Sequence, residues 1–295
     1  MHVVKKTERV LAWKLSQATL EIQPVMPGTL DDACRRLPGG AYTTLRTYPP
    51  KRALFLSDHF QRLEESAALS GLPVSIDHAR LRSALRFVLN EAKVAFQGDN
   101  PVPDFRIRIV LDLESQPGDL YLVLAALHTP STQEYEQGVA VILSSLQRAQ
   151  PGAKLTSFIN MTAEIDLPPG VNEALLLDKQ GCILEGMSSN FYAIIHGVLF
   201  TAGEGILPGL TRSLVLEVAG MSSIPLNLQA PGIASIPEFS EAFLTSTSRG
   251  VLPVREIADL TVGAGQVIGS GKPGPLTRTI ARLYQERVQQ LLEEI

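Results

Sequence analysis

The chain has 295 residues, 45% of them hydrophobic, with a formal net charge of −4 and a pI near 5.8. That length supports one large or two ordinary domains with a sizeable core, and the mild acidity excludes a general pull toward nucleic acid or anionic membrane. Cys34 and Cys182 lie far apart without metal or CxxC spacing, the basic start lacks the apolar core of a signal peptide, and no apolar run approaches membrane-spanning length; a soluble cytoplasmic protein is expected.

In chain order, Ala53 to Leu56 reads as a short strand entering a helix that Ser57 or Asp58 can cap. In that helix Phe60, Leu63 and Ala67 recur at near-helical spacing, and Gly71 is a plausible stop. A second amphipathic helix follows His78, with Leu81, Leu85, Val88 and Leu89 on one face. "DFRIRIVLDL" alternates Phe105, Ile107 and Ile109 against Arg106, Arg108 and Val110, the pattern of a half-buried strand, and "GDLYLVLAAL" is its hairpin partner. The polar segment His128 to Gly138 reads as an interdomain connection. Beyond it come strands in "VAVILSSL", "VNEALLLD", "CILEG", "NFYAIIH" and "VLFTA", then a helix through Leu210, Leu214 and Val218 that Gly220 can end. "EAFLTS" and "VLPV" are further strands, and a C-terminal helix carries Leu276, Ile280, Leu283 and Leu291. The expected domains are 1–128, a linker 129–138, and 139–295.

Several segments offer chemistry, each with a plainer alternative. Gly209-Leu210-Thr211 opens a helix whose unpaired N–H groups and positive dipole end can hold an anion; from spacing alone an ordinary Pro-Gly turn with a Thr cap is the favoured explanation. "TSTSRG", Thr245 to Gly250, is a second possible anion cup or a solvated hydroxyl loop. Glu185 stands alone in an uncharged stretch, where an acid in a strand commonly just faces solvent. Lys154 lies away from any charge run; a desolvated lysine can form a Schiff base, and a surface lysine is the commoner case. His59 and Arg62, one helical turn apart, also fit a solvated face. Gly263, Gly265 and Gly269 make a GxGxxxG, not a dinucleotide fingerprint, and read as an ordinary connection. His2, His59, His78, His128 and His196 show no metal-ligand spacing.

Together, "DHFQRLEESA", "RAQPGAK", "VNEALLLD…G-CILEGMSSNFYAI", "GILPGLTRSLVLEVA", "EAFLTSTSRGVLPV" and "GSGKPGPLTRTIARLY" resemble the class IV, or fold-type IV, pyridoxal-phosphate (PLP) enzymes, over roughly Ala41 to Tyr284. These include branched-chain and D-amino-acid aminotransferases and aminodeoxychorismate lyases. The resemblance implies a mixed α/β fold, with a small N-terminal α/β domain and a larger C-terminal α/β domain that binds PLP, and a homodimer acting on small amino and keto acids. It implies that Lys154 forms the internal aldimine and shuttles the α-proton, and that Glu185 bonds the pyridine nitrogen. Arg62, Gly209, Leu210, Thr211, Ser246, Thr247 and Ser248 would hold the phosphate. Tyr42 would line the substrate pocket, with Thr44 and Arg46 nearby. The implied reaction is transfer of an amino group between an amino acid or amine and a 2-keto acid. The alternative is release of pyruvate from 4-amino-4-deoxychorismate, because "AYTTLR" looks like the lyase subgroup's Phe-Thr-Thr-x-Arg. The chain departs from the family after Lys154: Leu155 to Phe158 contain neither the usual Asn nor the Tyr that branched-chain enzymes aim at the cofactor's phenolic oxygen.

Overall fold

The computed structural model describes residues 8–23, 28–99, 103–258 and 265–295. Its elements begin with strands β1 (Val10–Leu15) and β2 (Leu20–Ile22), helix α1 (Leu30–Cys34), strands β3 (Gly40–Arg46) and β4 (Arg52–Leu54), helices α2 (Leu56–Leu69) and α3 (His78–Ala95), and strands β5 (Phe105–Asp112) and β6 (Leu120–Ala126). There follow α4 (Thr132–Gln137), β7 (Val139–Ser144), α5 (Thr156–Thr162), β8 (Val171–Leu177), β9 (Ile183–Gly186), β10 (Asn190–Ile195), β11 (Val198–Phe200), α6 (Leu210–Met221) and β12 (Leu226–Asn227). A 3-10 turn, Ile233–Glu238, leads into β13 (Phe239–Ser246), β14 (Gly250–Ala258), β15 (Gln266–Val267), α7 (Pro275–Leu291) and β16 (Leu292–Glu294). The chain divides into two compact units, one holding residues through His128 with Ala153–Glu164 and Leu291–Ile295, the other Thr129–Gly152 and Ile165–Gln290. The units are therefore not contiguous in sequence.

In the first unit an antiparallel sheet runs β2-β1-β6-β5-β3. Phe60, Leu63 and Ala67 of α2 and Leu81, Leu85 and Val88 of α3 bury against Ile107, Ile109 and Leu122 on one face, each large aliphatic side chain contributing about 2 kcal/mol. Leu30 and Ala33 of α1 and Ile159 of α5 pack on the other face with Tyr42, Val110 and Val123. Strand β5 is consequently buried on both faces rather than half-buried: Arg108 is only 3% exposed. Its charge is tolerated there because Asp31 of α1 pairs with it and its guanidinium lies 5.0 Å from the centre of the Tyr42 ring. Burial alone would raise the Asp31 carboxyl, but the guanidinium groups of Arg108 and Arg106 hold it down at about 2.

In the second unit, β10-β13-β14-β7-β8-β9 close into a ring among the described residues, since β9 also pairs with β10 through Glu185 and Asn190. The pairings β14–β7 and β7–β8 are parallel and the others in the ring antiparallel.

Several local expectations change. Phe55, in a left-handed conformation, is the N-cap of α2, so Ser57 and Asp58 fall inside the first turn, and the Ser57 hydroxyl donates to Glu293. Gly71 does stop that helix, with a positive φ and the Leu72 N–H closing back on the Ala67 carbonyl. The segment 129–138 contains α4, started by a capping box between Ser131 and Glu134. Helix α6 runs past Gly220 to a cap at Ser222. Helix α7 buries Thr277, Ile280, Tyr284 and Val288, while Leu276, Leu283 and Leu291 are half-buried, and its last residues turn into β16 against β4. Of the glycine-rich connection, Gly263 lies outside the described residues. Gln266 and Val267 pair with β14, and Gly269 has a positive φ where a Cβ would strike the Ser240 carbonyl oxygen. His2 also lies outside the described residues.

Helix α7 begins on Glu241, a buried carboxylate that accepts the Leu276 and Thr277 N–H groups at 3.1 and 2.7 Å. Replacing Glu241 by Ala leaves those donors buried without an acceptor. The expected cost is about 2 kcal/mol, read as a lowered urea midpoint with an unchanged slope.

Candidate active site

In the first unit, the backbone around Lys154 is fixed on both sides. Its N–H donates to Ser66 Oγ at 3.1 Å, its carbonyl accepts the Tyr42 N–H at 2.8 Å, and two residues on, Thr156 Oγ1 accepts the Gly40 N–H. The lysine therefore leaves the edge of β3 at a set angle, half-buried, and its Nζ lies 4.8 Å from the centre of the Tyr42 ring. That ring thus meets two cations, Lys154 and Arg108. Thr44 Oγ1 accepts from Arg108 Nε at 3.3 Å. Arg46 points elsewhere, stacked 4.5 Å from the Tyr48 ring.

His59 feels the charges of both Lys154 and Arg62. It is buried, 2.6 Å from Thr43 Oγ1 through Nδ1, and its imidazole is pushed down to about 3 by burial first and then by the Arg62 and Lys154 cations. The histidine is therefore neutral, and the solvated helix face allowed by the sequence is in fact a buried one. Burial also lowers the Arg62 guanidinium, against the pull of Glu65 and Asp58.

In the second unit, Glu185 is 3% exposed and fully engaged: Arg148 Nε donates to one oxygen at 3.0 Å and the Leu207 N–H to the other at 3.1 Å. It is neither solvent-facing nor unpaired. A carboxylate so buried is tolerable because the guanidinium neutralises it. Asn190, directly across the strand pair from Glu185, donates Nδ2 to the Leu207 carbonyl at 2.9 Å. A Cβ on Gly209 would lie 2.2 Å from Asn190 Oδ1, so only glycine fits as the chain enters α6. Gly209 is the N-cap and supplies no side-chain cap; Leu210 begins the helix, and Thr211, 4% exposed, sits in its first turn rather than capping it. Ser246, Thr247 and Ser248 form the half-buried turn between β13 and β14. Ser246 Oγ accepts from Arg249 Nε at 2.9 Å.

The first unit thus holds Arg62, Lys154, Tyr42, Thr44 and Arg46, and the second Glu185, Gly209, Leu210, Thr211 and Ser246 to Ser248. Arg148, Ser66 and Glu173 escaped attention in the sequence, and Asn190 stood out only as part of the family signature. Arg148 sits within "RAQPGAK" and Asn190 within "MSSN", but only folding shows their partners.

Comparison with known proteins gives the family. The family model for amino-transferase class IV matches residues 40–257. The chain belongs to the class IV aminotransferase family. It is 30% identical over 268 residues to a probable branched-chain-amino-acid aminotransferase of Thermotoga maritima, covering 88% of this chain and 90% of that protein. It is 28% identical over 251 residues to the branched-chain-amino-acid aminotransferase of Escherichia coli K12, covering 77% and 76%. A D-alanine aminotransferase of Bacillus licheniformis is 25% identical over 286 residues, covering 88% and 91%. The crystal structure of a putative branched-chain amino acid aminotransferase from Thermotoga maritima superimposes with a TM-score of 0.75 at 27% identity, covering 96% and 97%. The branched-chain aminotransferase of the thermophilic archaeon Thermoproteus uzoniensis, solved with norvaline, shares the fold with a TM-score of 0.71 at 24% identity, covering 98% and 99%.

The enzyme is accordingly a PLP-dependent aminotransferase of the two-domain fold-type IV class, and its substrates are small amino and keto acids. The lyase alternative is not favoured. Among the described residues no helix is long and apolar enough to cross a membrane, and no cluster of His, Cys, Asp and Glu is placed to hold a metal. Each unit by itself offers groups of the kind PLP needs: the first an amine on a fixed backbone, the second a buried carboxylate acceptor and a glycine-capped helix N-terminus with hydroxyls for an anion.

His59 generates a pH prediction. Its folded-state value lies below the ordinary value of about 6.5, so as pH falls from about 6.5 toward 3 the unfolded chain takes up a proton that the folded one refuses, and stability drops. Thermal or urea unfolding should show about 2 kcal/mol of His59-dependent loss between pH 7 and 5. His59→Asn, which keeps a partner for Thr43, should remove that slope.

Proposed function

We propose that this enzyme transfers the amino group of an aliphatic, branched-chain-type amino acid to a 2-keto acid, with Lys154 as its catalytic residue. The buried, arginine-paired Glu185 is the observation that carries the site assignment. Bound PLP supplies a conjugated pyridine ring that accepts the electron pair left when a substrate's α-proton departs. Glu185 accepts the hydrogen bond of the ring nitrogen and keeps it protonated, with Arg148 holding the carboxylate in place. Lys154 Nζ binds the cofactor and moves the proton away from Cα; its fixed backbone makes the transfer a short, directed one. Arg62, Gly209, Leu210, Thr211, Ser246, Thr247 and Ser248 bind the phosphate. Tyr42 walls the substrate pocket, with Thr44 at its margin. The two units correspond to the small and large domains of the class. The names of the Thermotoga maritima and Escherichia coli relatives support the substrate class. The unpaired cysteines Cys34 and Cys182 support a cytoplasmic setting, and the family resemblance supports a homodimer.

An amino-donor panel of L-valine, L-leucine, L-isoleucine, L-glutamate and D-alanine, followed by loss of the cofactor absorbance near 400 nm, tests this. The branched-chain donors are expected to react fastest; D-alanine outpacing them would sink the substrate assignment. Lys154→Ala should lose at least about 10²–10⁴ of kcat and, after borohydride treatment, carry no covalently attached cofactor. Glu185→Gln should retain the covalent attachment while kcat falls by a similar factor.

A further inference from the structure

Arg249 stands beside the hydroxyls of the second anion cup, yet its guanidinium is committed to the protein. Nε donates to Ser246 Oγ at 2.9 Å, Nη1 to Asn172 Oδ1 at 3.0 Å, and Nη2 both to Ser188 Oγ at 2.9 Å and to Glu173 at 3.0 Å. Its carbonyl accepts from the Tyr135 hydroxyl at 2.6 Å. Glu173, in β8, is 1% exposed and equally committed. One oxygen accepts the Ser188 N–H and hydroxyl, the other the Ser189 hydroxyl at 2.7 Å. The backbone of Gly186, the residue after Glu185, lies directly on this carboxylate: a Cβ there would come 2.8 Å from Glu173 Cδ and 2.3 Å from Ser189 Oγ. One buried ion pair therefore ties together three segments: the start of β8, the turn Met187–Ser189 beyond Glu185, and the turn Ser246–Arg249.

We propose that Glu173 and Arg249 are positioning residues that hold the Ser246–Ser248 turn in the shape that receives the cofactor phosphate, Arg249 serving as the strut of the cup and not as a phosphate ligand. This rests on the assignment of Ser246, Thr247 and Ser248 to the phosphate. Arginine suits the task because its planar fork addresses several acceptors at fixed angles. Glu173 neutralises the fork, which leaves the cup with hydroxyl and backbone donors in a set arrangement. Freed from Glu173, the guanidinium would no longer brace Ser246 against Asn172 and Ser188.

The experiment compares PLP with pyridoxal, which lacks the phosphate, in reconstitution of enzyme stripped of its cofactor. Glu173→Gln and Arg249→Gln should each weaken PLP binding about tenfold or more, with pyridoxal affinity changed by less than about threefold. Arg249→Lys should not restore binding, since an ammonium cannot reproduce the fork. Unchanged PLP affinity in both Gln variants overturns the proposal, and so does an equal loss for PLP and pyridoxal, which would mean a general loosening. A selective loss in Arg249→Gln without one in Glu173→Gln would make Arg249 a phosphate ligand and overturn the strut; should Glu173→Gln fail to fold, Asn172→Ala, which removes the acceptor of Nη1, takes its place. A Thr247→Ala/Ser248→Ala double variant separates the underlying assignment: if it binds PLP normally, the phosphate reading fails, whereas a loss there without one in the Glu173 and Arg249 variants defeats only the strut.

Discussion

Burial of the Glu185 carboxylate is the constraint around which the second unit is organised. A charge with 3% exposure is affordable only with a dedicated counter-ion and a second donor, and Arg148 and the Leu207 N–H supply them. Both donors come from distant parts of the chain, so Glu185 can sit where it does only once the ring of strands has closed. The closing pair, Glu185 opposite Asn190, also sets the approach to α6, because Asn190 grips the Leu207 carbonyl and leaves room only for glycine at 209. The acid and the helix N-terminus are thus fixed by one arrangement.

The first unit solves a parallel problem with cations. Arg108, Lys154 and Arg62 lie in or beside a largely apolar layer, and the fold answers with Asp31, with the face of Tyr42, and with a histidine kept neutral. None of these partners is adjacent in sequence to the charge it serves. The sheet register brings Thr44 opposite Arg108 and so places Tyr42, two residues away, under the lysine.

Much of this was legible from the chain itself where the signal is local. The apolar periodicity of α2 and α3, the hairpin of β5 and β6, and the short strands from 171 to 200 emerge as read, because each needs only its own pattern; the half-buried character of β5 does not, since both its faces are covered. The family itself was legible through the resemblance, since Glu185, Asn190 and Gly209 to Arg212 fall in one compact signature. What was not legible depends on distant partners. Arg108 looks solvent-facing until Asp31 and Tyr42 are seen. The last residues look helical until β4 offers them a strand, and Gly220 looks like a helix stop although the α6 backbone continues through it. Helix α4 is a different kind of miss: Ser131 and Glu134 form a local capping box, outweighed in the reading by Pro130 and the polar surroundings.

The contact between Lys154 and Tyr42 has one more implication. An aromatic face attracts an ammonium through its charge and has no such hold on the neutral amine. The grip of the ring therefore lapses when the proton leaves. Tyr42 is thus a charge-sensitive contact, favouring the ammonium and indifferent to the neutral amine, which is the form of a lysine that can act as a nucleophile.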